Sequence, residues 1–122
     1  MEIQGRVVIV TGAGRGIGAA LCHQFAAAGA RSVIVSDRDL EAAESVAKKI
    51  GTAASAIACD VSVESDVASM VERVLAREQR IDIFCSNAGI TVKGGLESCN
   101  ADWQRMWDVN VMSRLYAARA VV

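Results

Sequence analysis

The stretch Thr11–Gly18, which reads TGAGRGIG, decides the fold of this 122-residue chain. It follows an apolar, valine-rich run over Arg6–Thr11 that predicts a buried strand, and it opens a segment whose apolar residues recur at helical spacing. In that setting Gly12 permits a tight turn, Gly16 lets the backbone approach a phosphate, and Gly18 lets the helix pack on the strand. The free N–H groups and positive dipole end of the helix then favour a phosphate. A glycine-rich turn that serves packing alone is the structural alternative.

The pattern of a strand followed by a helix continues along the chain. Further strands are predicted at Ser32–Ser36, Ala54–Asp60 and Ile81–Ser86. Amphipathic helical segments separate these strands, and Ser62 is predicted to cap the helix that follows the third. Apolar strands that alternate with such helices indicate an α/β fold, a doubly wound parallel sheet of the Rossmann type. Ligands bind such sheets at the carboxyl ends of the strands.

The last segment, residues 100–122, predicts a helix with a break near Asn110. Its apolar stripe is predicted from Trp103, Met106, Trp107, Asn110, Val111, Leu115, Ala118 and Val122. No stop signal closes this pattern. We therefore expect residues 1–122 to form one domain that is incomplete at its C-terminal end, with an apolar helix face and a strand edge left uncovered.

Composition excludes several functional classes. Basic and acidic residues nearly balance, with a net charge of −1, so charge gives no reason to expect binding to nucleic acid or to an anionic membrane surface. No apolar run approaches the roughly 20 residues of a membrane helix, and no signal-peptide pattern opens the chain. The four cysteines form no C-x-x-C pair and no zinc-ligand pattern. We therefore expect no metal, no membrane partner and a cytoplasmic location where thiols stay reduced.

The spacing Thr-Gly-x-x-x-Gly-x-Gly at Thr11–Gly18 resembles the signature of the short-chain dehydrogenase/reductase family. It differs from the Thr-Gly-x-x-Gly-x-x-Gly of the extended, epimerase-type branch. Asp60 with Val61, the run Asn87-Ala88-Gly89, and Asn110 are similar to later motifs of the family and occur in the same order, so the resemblance covers the whole chain. It implies hydride transfer between a nicotinamide cofactor and a small-molecule alcohol or carbonyl substrate, by a homotetramer when full-length. The cofactor-binding residues that it implies are Thr11, Gly12, Gly14, Arg15, Gly16, Ile17, Gly18, Asp37, Arg38, Asp60, Val61, Asn87, Ala88 and Gly89.

Asp37 closes the second predicted strand and bears on the choice of cofactor. A carboxylate there can accept hydrogen bonds from both hydroxyls of the adenosine ribose, and its charge repels a 2′-phosphate. This favours NAD over NADP, although Arg15 and Arg38 resemble arginines of family members that prefer NADP. Asp60 is similar to the residue that contacts the adenine amino group, and an acid that stabilises the next helix is the alternative.

Two asparagines carry the remaining motifs. By resemblance, Asn87 and its neighbours steady the sheet and pack against the cofactor, and a purely structural role is the alternative. Asn110 corresponds to the asparagine of the family's catalytic tetrad, which holds a water in the proton relay to the catalytic lysine. Its alternative is a side chain that locks a helix bend, because a buried amide without partners costs about 1–3 kcal/mol.

The resemblance also implies a serine, a tyrosine and, four positions after the tyrosine, a lysine. The only tyrosine here is Tyr116, and Ala120 stands four positions on. We therefore expect the 122-residue chain by itself to be inactive, as the cofactor-binding part of a longer enzyme. A naturally short, non-enzymatic protein that binds a nucleotide or a partner is the alternative.

Overall fold

A computed structural model describes all of residues 1–122. Strands and helices alternate through the first four strands, and a long helical segment follows. The strands are β1 (Val7–Val10), β2 (Ser32–Asp37), β3 (Ala54–Ala58) and β4 (Ile83–Cys85). The helices are α1 (Gly16–Ala27), α2 (Leu40–Ile50), α3 (Glu64–Glu78), α4 (Asn100–Trp107) and α5 (Ser113–Val121), with a π-helical segment at Asp108–Met112 between the last two.

The four strands form one parallel sheet in the order β3-β2-β1-β4. The chain therefore builds outward from β1 to β3 and then returns to place β4 on the other side of β1. In register, Val10 lies between Val35 of β2 and Cys85 of β4. The reversal of strand order falls between β1 and β4, so a ligand crevice is expected just beyond Val10 and Cys85. The predicted Rossmann-type α/β class is confirmed.

Both faces of the sheet are covered because successive side chains of a strand point to opposite faces. Val7 and Ile9 of β1 pack in a cluster with Met70 of α3. Val8 and Val10 pack on the opposite face in a cluster with residues of α1 and α2. All four residues of β1 are fully buried, as a central parallel strand requires. No helix in the structure is both long enough and apolar enough to span a bilayer.

Three of the predicted strands are longer than the strands observed, whereas β2 extends one residue beyond its prediction, to Asp37. Asp60, predicted as the end of the third strand, lies two residues beyond Ala58, in the turn before α3. The prediction that Ser62 caps α3 is wrong, since the capping position is Val63 and no side chain accepts there. The Ser62 hydroxyl donates instead to Asp60 Oδ1, at 2.6 Å. A cap would have required the hydroxyl oxygen to accept from an N–H of the first helical turn, and no such bond is present.

The final helix is not broken near Asn110 but changes hydrogen-bonding register there. Within the π segment the N–H of Ser113 donates to the carbonyl of Asp108, five residues back rather than four. The side that packs inward carries mostly small residues, including Ser113 and Ala117, which are buried. Large apolar residues of the predicted stripe face outward instead, and we call them the outer stripe: Trp103, Trp107, Val111 and Leu115, each 41–54% exposed.

Candidate functional site

A cavity of about 310 Å³ opens at the carboxyl ends of the strands, where the strand order reverses. Residues from the loops after all four strands meet there with one face of α4. Nine of the predicted cofactor-binding residues line it: Gly12, Arg15, Asp37, Arg38, Asp60, Val61, Asn87, Ala88 and Gly89. Residues that are far apart in sequence are therefore brought to one crevice, as the parallel sheet predicts.

The glycine loop presents backbone donors beside this cavity. Gly12 has φ +64°, and a Cβ on it would lie 2.8 Å from the Ala88 Cα, so only glycine allows these two segments to approach. Gly16 also has positive φ, yet no atom lies within 4 Å of the position of a Cβ, so the space beside it is open. The N–H groups of Gly16, Ile17 and Gly18 at the start of α1 donate to no protein acceptor. Such unpaired N–H groups at a helix N-terminus bind anionic oxygens.

Ile17 and Gly18, the last two residues of the glycine loop, differ in exposure. Ile17 is 75% exposed, although its helical spacing had placed it with the apolar residues of α1. Gly18 is buried beneath the loop, where an added Cβ would collide with the Gly12 carbonyl oxygen and lie 2.7 Å from Asn87 Nδ2. Gly18 therefore allows the close packing that a side chain would prevent.

Thr11 and Asn87 join the ends of β1 and β4. The Thr11 hydroxyl accepts from the N–H groups of Asn87 at 3.1 Å and Ala88 at 3.2 Å. The Asn87 side chain donates to the carbonyls of Thr11 at 3.1 Å and Gly12 at 3.3 Å. Thr11 is 1% exposed, so its side chain fixes the walls of the cavity from within. The structural role considered for Asn87 is therefore present in the structure.

Asp37 reaches back to the glycine loop. Its Oδ2 accepts from the Gly14 N–H and its Oδ1 from the Asp39 N–H, each at 2.9 Å. Each carboxylate oxygen can accept a further bond, so Asp37 can hold the loop and still accept from a ligand hydroxyl. Arg15 is paired with Asp39 at 3.0 Å on the exposed rim. Arg38 lines the cavity and has no carboxylate within ion-pair distance.

Asp60 is the second carboxylate of the cavity. The hydroxyl of Ser62 is the main reason why the pKa of the Asp60 carboxyl lies below its usual value. The Ser62 N–H, at 3.0 Å, and the positive charges of Arg38 and Arg105 act in the same direction. Asp60 is therefore ionised at neutral pH and accepts hydrogen bonds without donating any.

Four residues line the cavity that the sequence interpretation did not single out: Cys59, Ile90, Arg105 and Val109. Cys59 and Ile90 each adjoin a predicted motif, so extending those motifs by one residue would have found them. Arg105 and Val109 are four residues apart on one face of the final helix, and Val109 immediately precedes Asn110. Burial raises the pKa of the Cys59 thiol to about 12, with smaller contributions from Asp66 and Asp60, so this wall stays uncharged.

Asn110 does not line the cavity but holds its wall. Its Oδ1 accepts from the N–H of Ile90 and its Nδ2 donates to the carbonyl of Ile90, each at 2.9 Å. The side chain thus closes a two-bond pair with one peptide of the loop after β4. Asn110 lies in the π segment, and both of its side-chain bonds go to this loop rather than to the helix itself.

The charges around the cavity favour an anionic ligand. Arg15, Arg38 and Arg105 outnumber Asp37 and Asp60, and the free N–H groups of α1 add partial positive charge. No cluster of His, Cys, Asp or Glu side chains is arranged to hold a metal ion. A glycine loop between strand and helix, with acids at two neighbouring strand ends, defines a dinucleotide-binding type of α/β domain.

Comparison with known proteins gives the family. A family model described as "short chain dehydrogenase" matches residues 6–122, and the chain therefore belongs to the short-chain dehydrogenase family, as the motifs predicted. Among its relatives, the sex determination protein tasselseed-2 of Zea mays is 38% identical over 131 residues. That alignment covers 98% of this chain and 39% of the relative.

Solved structures agree in fold. A metagenomic short-chain oxidoreductase in complex with NADP matches with a TM-score of 0.92 at 34% identity, over 99% of this chain and 57% of that one. The 3-ketoacyl-(acyl-carrier-protein) reductase from Brucella melitensis, complexed with NADH, matches with a TM-score of 0.90 at 38% identity, over 96% and 48%. The chain thus spans about half the length of the solved structures that it matches.

Proposed function

We propose that this chain is the cofactor-binding part of an NAD(P)-dependent oxidoreductase that moves hydride between nicotinamide and an alcohol or carbonyl substrate. The observation that carries the proposal is the cavity at the reversal of strand order, bounded by the glycine loop, Asp37, Asp60 and the run Asn87-Ala88-Gly89. Residues 1–122 would form one dinucleotide-binding domain. When bound, the nicotinamide would supply or accept the hydride.

The residues of the cavity have separable roles in this proposal. The free N–H groups of Gly16 and Ile17, with open space beside Gly16, would bind the pyrophosphate. Asp37 would accept from the adenosine ribose hydroxyls, and ionised Asp60 would accept from the adenine amino group. Val61 and Ala88 would supply apolar contact to the base. The remaining predicted residues would act through the shape of the loop.

We further propose NAD rather than NADP as the cofactor. Asp37 lies at the ribose position and would repel a 2′-phosphate, while Arg15, the nearest glycine-loop cation, is already paired with Asp39. Arg38 is the one residue here that favours NADP. Related structures contain either cofactor, so the choice depends on these side chains rather than on the family.

Asn110 would serve the proton relay in an indirect way. Both polar atoms of its side chain are engaged with Ile90. A water of the relay would therefore bind either the second Nδ2 hydrogen or the backbone carbonyl of Asn110. The Tyr-x-x-x-Lys pair of the family is not among these 122 residues, since the only tyrosine is Tyr116 and Ala120 stands four positions on.

We also propose a cytoplasmic location and, for the full-length enzyme, a homotetramer in which the outer stripe is covered.

A second candidate is a protein that binds a nucleotide without reacting it, because the cavity would serve binding with or without turnover. The two differ in turnover and in the length of the coding sequence: a reading frame that continues into a Tyr-x-x-x-Lys helix supports the enzyme.

Binding of NADH, followed by its fluorescence, tests the proposed site. We expect a dissociation constant below about 1 mM, in the usual range for such ligands. Gly16→Asp places a carboxylate beside the pyrophosphate in open space at a φ that aspartate tolerates, so it should abolish binding without unfolding the chain. Gly5→Asp is the matched control, because Gly5 also has positive φ and open space but lies far from the cavity. Equal binding by the two variants, or no binding by the wild type, would contradict the proposal.

A further inference from the structure

Arg114 donates hydrogen bonds to neutral oxygens and pairs with no carboxylate. Its Nη1 lies 2.7 Å from the carbonyl oxygen of Ala88, 3.2 Å from that of Val109 and 3.0 Å from the hydroxyl of Ser113. Nη1 carries two hydrogens, so one of them is shared between two of these acceptors. No carboxylate lies within ion-pair distance, whereas Arg119, five residues on, pairs with Glu64. The charge of Arg114 is directed at neutral backbone oxygens.

The Val109 carbonyl oxygen needs a donor because of the π segment. In an uninterrupted α-helix the Val109 carbonyl would accept from the N–H of Ser113, four residues on. Here that N–H donates to Asp108 instead. The Val109 oxygen accepts the Ser113 hydroxyl, at 2.5 Å, and lies within reach of Arg114. Side chains thus replace a backbone bond that the change of register removes.

The Ala88 carbonyl oxygen belongs to the wall of the cavity. Ala88 lines the cavity, and its N–H donates to the Thr11 hydroxyl. Its Cα lies so close to Gly12 that no Cβ could fit between them. Arg114 donates to the carbonyl of the same residue. Ala88 is therefore held at its N–H by Thr11 and at its carbonyl by Arg114 of α5.

We propose that Arg114 is a positioning residue of the cofactor site, which holds Ala88 against the glycine loop while it completes the hydrogen bonding of the π segment. This inference rests on the proposed function for its effect on cofactor binding. Without Arg114 the Ala88 carbonyl loses a charge-assisted bond. The loop from Asn87 to Ile90 then keeps its bonds to Thr11 and Gly12 at one end and to Asn110 at the other. The wall would then sample positions away from Gly12 and would bind a dinucleotide less well.

The test compares Arg114→Ala with Arg119→Ala, which removes the same side chain from the same helix but breaks only an exposed ion pair. We expect Arg114→Ala to weaken NADH binding about tenfold, which corresponds to the loss of one such hydrogen bond. Arg119→Ala should leave the dissociation constant unchanged. Arg114→Lys should restore part of the loss, and added guanidinium ion should improve binding by Arg114→Ala alone.

Hydrogen exchange of the unliganded chain keeps the inference separable from the proposed function. Amide exchange of the Ala88–Ile90 segment should accelerate in Arg114→Ala and not in Arg119→Ala. Unchanged exchange would overturn the positioning role whatever the chain binds. Faster exchange with unchanged NADH affinity would overturn the link to the cofactor site. If the wild type binds no NADH, the proposed function fails, and with it the link to the cofactor, while the exchange result still decides whether Arg114 holds the wall.

Discussion

Replacing Asp37 with alanine should lower stability and change cofactor preference together. The carboxylate accepts from the N–H of Gly14 and from that of Asp39, each at 2.9 Å. A hydrogen bond to a charged group contributes about 1.5–3 kcal/mol, and bonds at exposed sites fall at or below the low end. The bond to Gly14 is partly buried and that to Asp39 is exposed. We therefore expect Asp37→Ala to lower the free energy of unfolding by about 2 kcal/mol.

The cofactor effect arises from the same carboxylate. The adenosine ribose would lose its acceptor, and a 2′-phosphate would no longer meet a negative charge. We expect the ratio of kcat/KM for NAD to that for NADP to fall by about 10- to 100-fold, or about 1.4–2.8 kcal/mol. Asp37→Asn retains one acceptor oxygen and removes the whole charge. It should therefore lower the free energy of unfolding by about half as much as Asp37→Ala does, while it changes cofactor preference in the same direction.

Two measurements decide the outcome. Urea unfolding of the chain gives the stability change, and steady-state kinetics of the full-length enzyme with both cofactors gives the preference. Glu44→Ala, which removes an exposed carboxylate from α2, is the control and should alter neither. A wild-type enzyme with the higher kcat/KM for NADP would refute the NAD proposal and would make Arg15 and Arg38 the determinants. An Asp37→Ala variant as stable as the wild type would refute the hydrogen-bond reasoning.

Three further predictions concern the isolated chain and its acids. The 122 residues alone should show no dehydrogenase turnover, because general acid–base catalysis contributes about 10²–10⁴-fold and its groups are absent; NADH production above a blank would contradict this. Light scattering should show self-association, since the outer stripe and the edge of β4 are uncovered; a monomer that melts cooperatively would argue against it. The Asp60 carboxyl should titrate below its unfolded value of about 3.9 by NMR, so its contribution to stability is present above that pH and is lost as the pH falls through the folded pKa. Ser62→Ala should raise the pKa of Asp60, and an unchanged titration would refute the assigned cause.

The sequence predicted the fold well because its main signals are local. Buried strands, amphipathic helices and the glycine loop each leave a pattern within a few residues, and the parallel sheet follows from their alternation. Most of the candidate site could be predicted for the same reason, since motifs at strand ends converge wherever a parallel sheet forms.

The sequence did not predict which side of the final helix packs inward. The final helix has apolar residues on both sides, and periodicity does not reveal that small residues such as Ala117 face the core while Trp107 faces outward. Arg105 was missed for a related reason, because its place in the cavity depends on how α4 lies across the strand ends. The Ser62 hydroxyl could accept from an N–H at the start of α3 or donate to Asp60, and only the folded backbone decides between these roles.

The π segment separates the final helix into two parts that can change independently. One extra residue per turn rotates everything after it by about 100° relative to a continuous α-helix. Arg105, before the change, lines the cavity, whereas α5, after it, packs against α3. Substitutions that adjust the α3–α5 contact therefore need not turn Arg105 away from the ligand. Deletion of one residue, such as Met112, would restore a continuous α-helix. The orientation of Arg105 and the packing of α5 against α3 would then no longer be independent.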